Sequence, residues 1–243
     1  MDLRNAASYA LFLDLDGTLI DIAATPEDVV VPDSLPRLLA DMTEELNGAL
    51  AILTGRSIAD ADRHLAPLVT VAAGIHGAEI RTAPGHAIET NAALMDAGTA
   101  IAVQDIACRE PGAHLEFKRL SIAVHYRMIP QAEARLEKAL QGVVAARPDS
   151  LMLCRGRKVF EIVPRHVSKG GALEALMQLP AFRGRRPIMI GDDVSDLSAF
   201  EAARRLGGRG YNVAGALFQS ADADFANPTA VRDWLAAQFK GGV

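Results

Sequence analysis

Four short strings in this chain carry residue types that do chemistry at useful spacing. The first is Asp14-Leu15-Asp16-Gly17-Thr18-Leu19. Two carboxylates two residues apart, with a glycine to turn the chain, can point into one small volume. One can attack as a nucleophile while the other handles a proton, both can serve a hard cation, or the string can simply cap a following helix. The second string, Gly191-Asp192-Asp193-Val194-Ser195-Asp196, packs three carboxylates into five residues. Placed beside Asp14 and Asp16, such crowding is costly without a cation to offset it, and the alternative is a solvated acidic loop. In Ile52-Leu53-Thr54-Gly55-Arg56 a hydroxyl sits among backbone N–H groups that can hold an anionic oxygen, or that merely form a turn. Ser168-Lys169-Gly170-Gly171 offers one ammonium and free N–H groups at a helix start, or an exposed lysine beside an N-cap.

The elements that must position these strings are legible from periodicity. Continuous apolar runs at 9–14, 49–54 and 187–191, with shorter ones at 69–73 and 210–213, predict strands buried on both faces. Segments 34–45, 57–66, 168–177, 195–205 and 227–239 have helical spacing, and 74–77 turns the chain into a hairpin. Strands alternating with helices in this way imply a doubly wound, Rossmann-like α/β core with a parallel sheet. Ligands of such sheets lie beyond the carboxyl ends of the strands, where the four strings fall. Between them the rhythm changes. A helix at 91–108, paired strands at 113–118 and 121–126, a helix at 131–147 and a hairpin of 151–154 with 159–163 make an αββαββ module with an antiparallel sheet. The expected organisation is therefore a core of residues 1–88 and 164–243 with an inserted α+β module at 89–163.

Composition narrows the classes. In 243 residues, half are apolar and 23% are charged, which supports a sizeable core and excludes a disordered or fibrous chain. The net charge of −5 argues against a general nucleic-acid binder. Apolar runs are too short to span a bilayer, and carboxylates interrupt the N-terminal apolar stretch too early for a secretory leader, so a cytoplasmic protein without membrane partners is expected. Cys108 and Cys154 form no ligand pattern and read as two buried thiols. Charge is uneven: residues 109–170 carry +6 and the remainder −11, which is either chance surface composition or a basic segment placed over an anionic ligand.

Taken together, the four strings resemble the ordered motifs of the haloacid dehalogenase-like phosphohydrolases: DxDGT, a Ser/Thr at a strand end, a Lys, and GDDxxD. The inserted module resembles that superfamily's α+β cap. The resemblance implies that Asp14 attacks phosphorus to form an aspartyl-phosphate. Asp16 would protonate the leaving alcohol and then deprotonate the hydrolytic water. It further implies Mg²⁺ held by Asp14, Asp192 and the Asp16 carbonyl, phosphoryl oxygens met by Thr54, Gly55 and Lys169, and Asp193 and Asp196 behind the metal or orienting Lys169.

A narrower resemblance, to the trehalose-6-phosphate phosphatase family, rests on Gly74-Ile-His-Gly-Ala-Glu79, Glu116-Phe-Lys118, His125-Tyr-Arg127 and Lys158-Val-Phe-Glu-Ile-Val-Pro164. It implies a small-molecule sugar-phosphate substrate, with His76 and Glu79 of the core and Glu116, Lys118, Arg127, Lys158 and Glu161 of the cap reading sugar hydroxyls. Such a cap is expected to close over bound substrate. The chain departs from the family's usual GDDxTDE by Ser195 and Leu197, the latter removing a carboxylate. Rival readings are a sucrose-phosphate or mannosyl-3-phosphoglycerate phosphatase, a phosphomutase, and a non-catalytic phospho-acceptor switch.

Overall fold

The computed structural model describes residues 6–23 and 28–239. The first five residues of the N-terminal stretch read above for a leader lie outside that range. Contacts divide the chain into two compact units, one made of Met1–Glu89 with Ser168–Val243 and the other of Thr90–Val167.

The first unit is built on a seven-stranded sheet. Its strands are β1 (Tyr9–Leu13), β2 (Leu50–Leu53), β3 (Val71–Gly74), β4 (Glu79–Arg81), β5 (Glu89–Thr90), β10 (Arg186–Gly191) and β11 (Arg209–Asn212), in the spatial order β11-β10-β1-β2-β3-β4-β5. Strands β11 to β3 run parallel, and β4 is antiparallel to β3. The central strand β1 is held on both sides, Leu13 lying level with Ile190 and with Ile52. Its residues from Ala10 to Leu13 are all buried, as the unbroken apolar run requires. The helices of this unit are α1 (Leu35–Glu45), α2 (Ile58–Leu65), α5 (Lys169–Leu176), α6 (Leu197–Arg205) and α7 (Pro228–Phe239). Short side chains start two of them: Ser57 accepts the Asp60 N–H, and Ser168 accepts the Gly171 N–H. The core gathers Phe12, Leu13, Ile52, Leu173, Phe182, Ile190 and Phe200. This is an α/β fold with a mainly parallel central sheet.

The second unit holds α3 (Ala97–Cys108), β6 (His114–Phe117), β7 (Ile122–His125), α4 (Glu133–Ala145), β8 (Leu151–Gly156) and β9 (Val159–Pro164). Its four strands form an antiparallel sheet in the order β6-β7-β9-β8. Ile122 and Val124 of β7 and Phe160 and Ile162 of β9 pack with Val103 of α3 and with Leu136 and Leu140 of α4. Strand alternation therefore turns Ala123, His125 and Glu161 to the opposite face.

Three sequence expectations are corrected. The helix expected at 91–108 starts only at Ala97, because the Asp96 side chain accepts the Thr99 N–H and ends the extended approach there. The helix expected from 195 begins as a 3₁₀ turn, Val194–Asp196, before α6. The cysteines are not two buried thiols: Cys108, at the last position of α3, is exposed and Cys154 is half-buried. Among the described residues no helix is long and apolar enough to cross a membrane.

Candidate active site

Three adjacent strands of the first unit, β10, β1 and β2, end in chemistry-bearing residues. Asp14 follows β1, Thr54 follows β2 and Asp192 follows β10. The chain leaves β1 toward β2 and leaves the adjacent β10 the opposite way toward β11, which is where open α/β sheets form a crevice. Asp14 is anchored by its N–H to the Ile190 carbonyl (3.0 Å). The chain then curls, with Leu15 O receiving the N–H groups of Leu19 and Ile20 at 2.8 and 3.0 Å. Gly17 permits the curl. Its φ is +80°, and a Cβ there would lie 2.3 Å from Asp192 Oδ2. Thr18 Oγ1 donates to Asp192 Oδ1 at 3.2 Å.

Lys169, the first residue of α5, is buried. Its Nζ donates to Asp14 Oδ1 and to Asp196 Oδ1, both at 2.7 Å. Burial opposes the ammonium, but the two carboxylates outweigh it and hold Lys169 charged well above the ordinary lysine range. Gly170 lets α5 approach this closely, since a Cβ would meet the Ser198 carbonyl oxygen at 2.5 Å. Asp196 Oδ2 accepts the N–H groups of Asp192 and Asp193 at 3.1 and 3.0 Å, so one buried carboxylate both orients Lys169 and shapes the acidic loop. Asp193 caps the turn, its Oδ1 accepting the Val194 N–H.

Ligand oxygens of Asp14, Asp192 and Asp196 lie within 4.8 Å of one another. Burial, aided by Asp196 and Asp192, pushes the Asp14 carboxyl well up against the pull of Lys169. Burial with Asp196 and Asp193 pushes Asp192 up to about 7. Three crowded, buried, hard oxygen donors that resist ionisation fit a small divalent cation, whose charge offsets the repulsion. Asp196 was expected behind the metal or orienting Lys169, and its Oδ1 accepts from Lys169 while its carboxylate also borders the cluster. Leu197, where the usual motif has a carboxylate, is 43% exposed at the start of α6.

The Thr54 loop is braced from the β3–β4 turn. Thr54 Oγ1 accepts the Arg56 N–H (3.1 Å). Thr54 O and Arg56 O accept the N–H groups of His76 and Ile75 at 3.1 and 2.8 Å. Both donors are left-handed, with φ of +55° and +48°, a strained state for β-branched Ile75. The His76 ring lies 2.9 Å from where a Cβ on Gly55 would sit. Glu79 is buried and its Oε2 accepts the Ile58 N–H at 2.8 Å, supporting the start of α2. Asp16 turns to Arg56, whose Nε and Nη2 grip its two oxygens at 2.7 and 2.8 Å. Sequence reading passed over Arg56, although an arginine two residues beyond Thr54 was in plain view.

In the second unit, Glu116, Ala123 and Glu161 form one row across β6, β7 and β9. Glu161 Oε1 receives Lys118 Nζ (2.9 Å) and the buried Ser121 hydroxyl (2.6 Å), and Glu116 Oε2 is 3.0 Å from His125 Nε2. Glu116, Lys118 and Glu161 are thus brought together, with Ser121 and His125 as partners that sequence reading did not single out. Lys158 is placed elsewhere. Its φ is +63°, and its Nζ pairs with Glu133 of α4 at 3.1 Å and lies over the Tyr126 ring. Arg127 reaches the Arg157 carbonyl at 3.4 Å.

Comparison with known proteins gives this arrangement relatives. A trehalose-6-phosphate phosphatase of Escherichia coli (strain K12) is 39% identical over 210 residues, covering 86% of this chain and 78% of its own. A probable trehalose-phosphate phosphatase of Sinorhizobium fredii is 40% identical over 211 residues, covering 85% and 77%. The structure of the C. albicans trehalose-6-phosphate phosphatase C-terminal domain superposes with a TM-score of 0.84 over 99% of this chain and 97% of that one, at 20% identity. The fold is that of the haloacid dehalogenase-like hydrolases. The trehalose-phosphatase family profile matches residues 12–227, and the chain belongs to that family.

Proposed function

We propose that this protein hydrolyses trehalose 6-phosphate to trehalose and phosphate through a phosphorylated Asp14. The single observation that carries the chemistry is the buried Lys169 joined to Asp14 at 2.7 Å, with Asp192 and Asp196 crowded beside them. Lys169 spends two of its three N–H donors on Asp14 and Asp196, leaving the third for a phosphoryl oxygen. The Thr54 hydroxyl and the Gly55 N–H receive others, so charge shifting onto the transferring group meets fixed donors. Asp14 then forms the bond to phosphorus in line with the departing sugar oxygen. Asp16 gives that oxygen a proton as the ester bond breaks, and later takes a proton from the water that cleaves the aspartyl-phosphate. Asp14, Asp192 and the Asp16 carbonyl are the groups that would hold Mg²⁺, which when bound offsets the negative charge of phosphate and carboxylates.

Sugar recognition is assigned to the second unit. Trehalose offers hydroxyls and no charge, which suits carboxylates as acceptors and an ammonium as donor; Glu116 and Glu161 lie on one row of the sheet, and Lys118, just past β6, pairs with Glu161. The test is phosphate release from trehalose 6-phosphate beside glucose 6-phosphate and sucrose 6-phosphate, with Mg²⁺. The disaccharide ester of trehalose should turn over many times and fastest, and Asp14→Asn should abolish turnover. Equal rates on all three esters would remove the trehalose assignment, and a single stoichiometric phosphorylation would indicate a switch instead.

A further inference from the structure

We infer that Arg56 is the positioning residue of the proton-transfer carboxylate, fixing Asp16 in plane and holding it out of the cation cluster; this rests on the role of Asp16 proposed above. Asp14 and Asp16 are two residues apart on one loop, yet their carboxylates have different surroundings. Asp14 joins Lys169, Asp192 and Asp196, whereas Asp16 is not in that group. Its two oxygens are instead taken by one guanidinium, Nε to Oδ2 at 2.7 Å and Nη2 to Oδ1 at 2.8 Å. Such a fork fixes both the direction and the plane of a carboxylate, which an ammonium does not do.

The guanidinium is itself immobilised. Its side chain is only 10% exposed. Nη1 donates to Asp60 Oδ2 at 2.6 Å and lies 2.8 Å from His64 Nε2, which must accept because a guanidinium has only donors. Asp60 is in turn placed by its own N–H to Ser57 Oγ at 3.2 Å, in the first turn of α2. The backbone of Arg56 is tied at both ends, its N–H to Thr54 Oγ1 and its carbonyl to the Ile75 N–H. The loop that presents Thr54 to phosphate therefore also aims the proton-transfer group. Without the fork, a carboxylate so close in sequence to Asp14 is free to turn toward a cation held by Asp14 and Asp192. It would then be a metal ligand and poorly placed to serve the sugar oxygen or the water.

The test compares the full-length wild type with Arg56→Ala and Arg56→Lys, in Mg²⁺, on trehalose 6-phosphate and on 4-nitrophenyl phosphate. Nitrophenolate leaves without a proton, whereas a sugar alkoxide needs one, and cleavage of the aspartyl-phosphate needs a base with either ester. Both variants should lose about 10²-fold or more in kcat on the sugar ester with KM little changed, the scale of general acid–base assistance. On the nitrophenyl ester they should release one nitrophenolate per protein in a burst and then stall, with phosphoprotein trapped by acid quenching. Added guanidinium should restore part of the Arg56→Ala loss. Asp60→Asn, which leaves the fork intact and loosens its support, should show the same pattern more weakly and serves if the Arg56 variants do not fold. Parallel losses on both esters without a burst, or a change confined to KM, would overturn the inference. Should the wild type reject trehalose 6-phosphate, the comparison runs unchanged on any alkyl phosphate it accepts, so the substrate assignment and the role of Arg56 fail separately.

Discussion

Burial of charge sets the terms for single residues in the first unit. Asp14 and Asp192 have their carboxyls pushed up by burial and by neighbouring carboxylates, Asp192 to about 7. A carboxylate whose folded value exceeds its unfolded value makes the folded state keep protons that the unfolded chain releases. Stability then falls as pH rises from about 4 to about 7. Lys169 shifts upward beyond the ordinary lysine range, so its contribution is constant across that window. Protein stripped of divalent metal should therefore melt at a higher temperature at pH 5.5 than at pH 8, and Mg²⁺ should raise the melting point more at pH 8. Flat melting temperatures with chelator would refute this. Asp14 and Asp192 stand out in the sequence as carboxylate strings at strand ends, whereas Thr54 and Lys169 taken alone read as a turn and a helix start and were singled out only by the order of all four strings. The Arg56–Asp16 fork and the Ser121–Glu161 bond join residues about 40 positions apart, and nothing local announces such a pairing.

At the scale of elements, close approach is the decisive quantity. In Gly170→Ala the new methyl would meet the Ser198 carbonyl oxygen at 2.5 Å, so α5 must move away from α6 and carry Lys169 with it. A cost of about 1–3 kcal/mol is expected, with turnover falling further than stability, measured by urea unfolding beside kinetics. Gly142, inside α4, has nothing near its missing Cβ. Gly142→Ala should stabilise the protein by about 0.5–1 kcal/mol and leave activity unchanged. Element types were readable from period alone, because burial on two faces or one stripe leaves a pattern. Boundaries were less so: residues 91–95 carry helical composition, but Asp96 captures the Thr99 N–H and Met95 N–H bonds Arg119 O, which settles the chain differently. Side-chain placement was hidden where the backbone is left-handed, as at Lys158, which turns toward Glu133.

For the whole molecule, the two units have separate apolar cores, one around Phe12 and Phe182 and one around Phe160 and Tyr126. Phe160→Ala removes a buried ring and should cost about 3–5 kcal/mol. That loss should appear as faster amide hydrogen exchange within residues 90–167, with exchange in β1, β2 and β10 unchanged. Uniform acceleration across the chain would mean that the cores unfold as one. The connectivity also bears on synthesis. β1 is among the first elements to leave the ribosome, but one of its two neighbours is β10, whose Ile190 pairs with Leu13 across a gap of more than 170 residues. The second unit is contiguous and can finish first. Asp14 meanwhile waits beside a half-made sheet, without Lys169 and without Asp192. A ribosome stalled before residue 192 would thus display a finished second unit on a chain that still lacks Asp192 and the strand beside it. Premature termination should silence this protein completely rather than leave it slow.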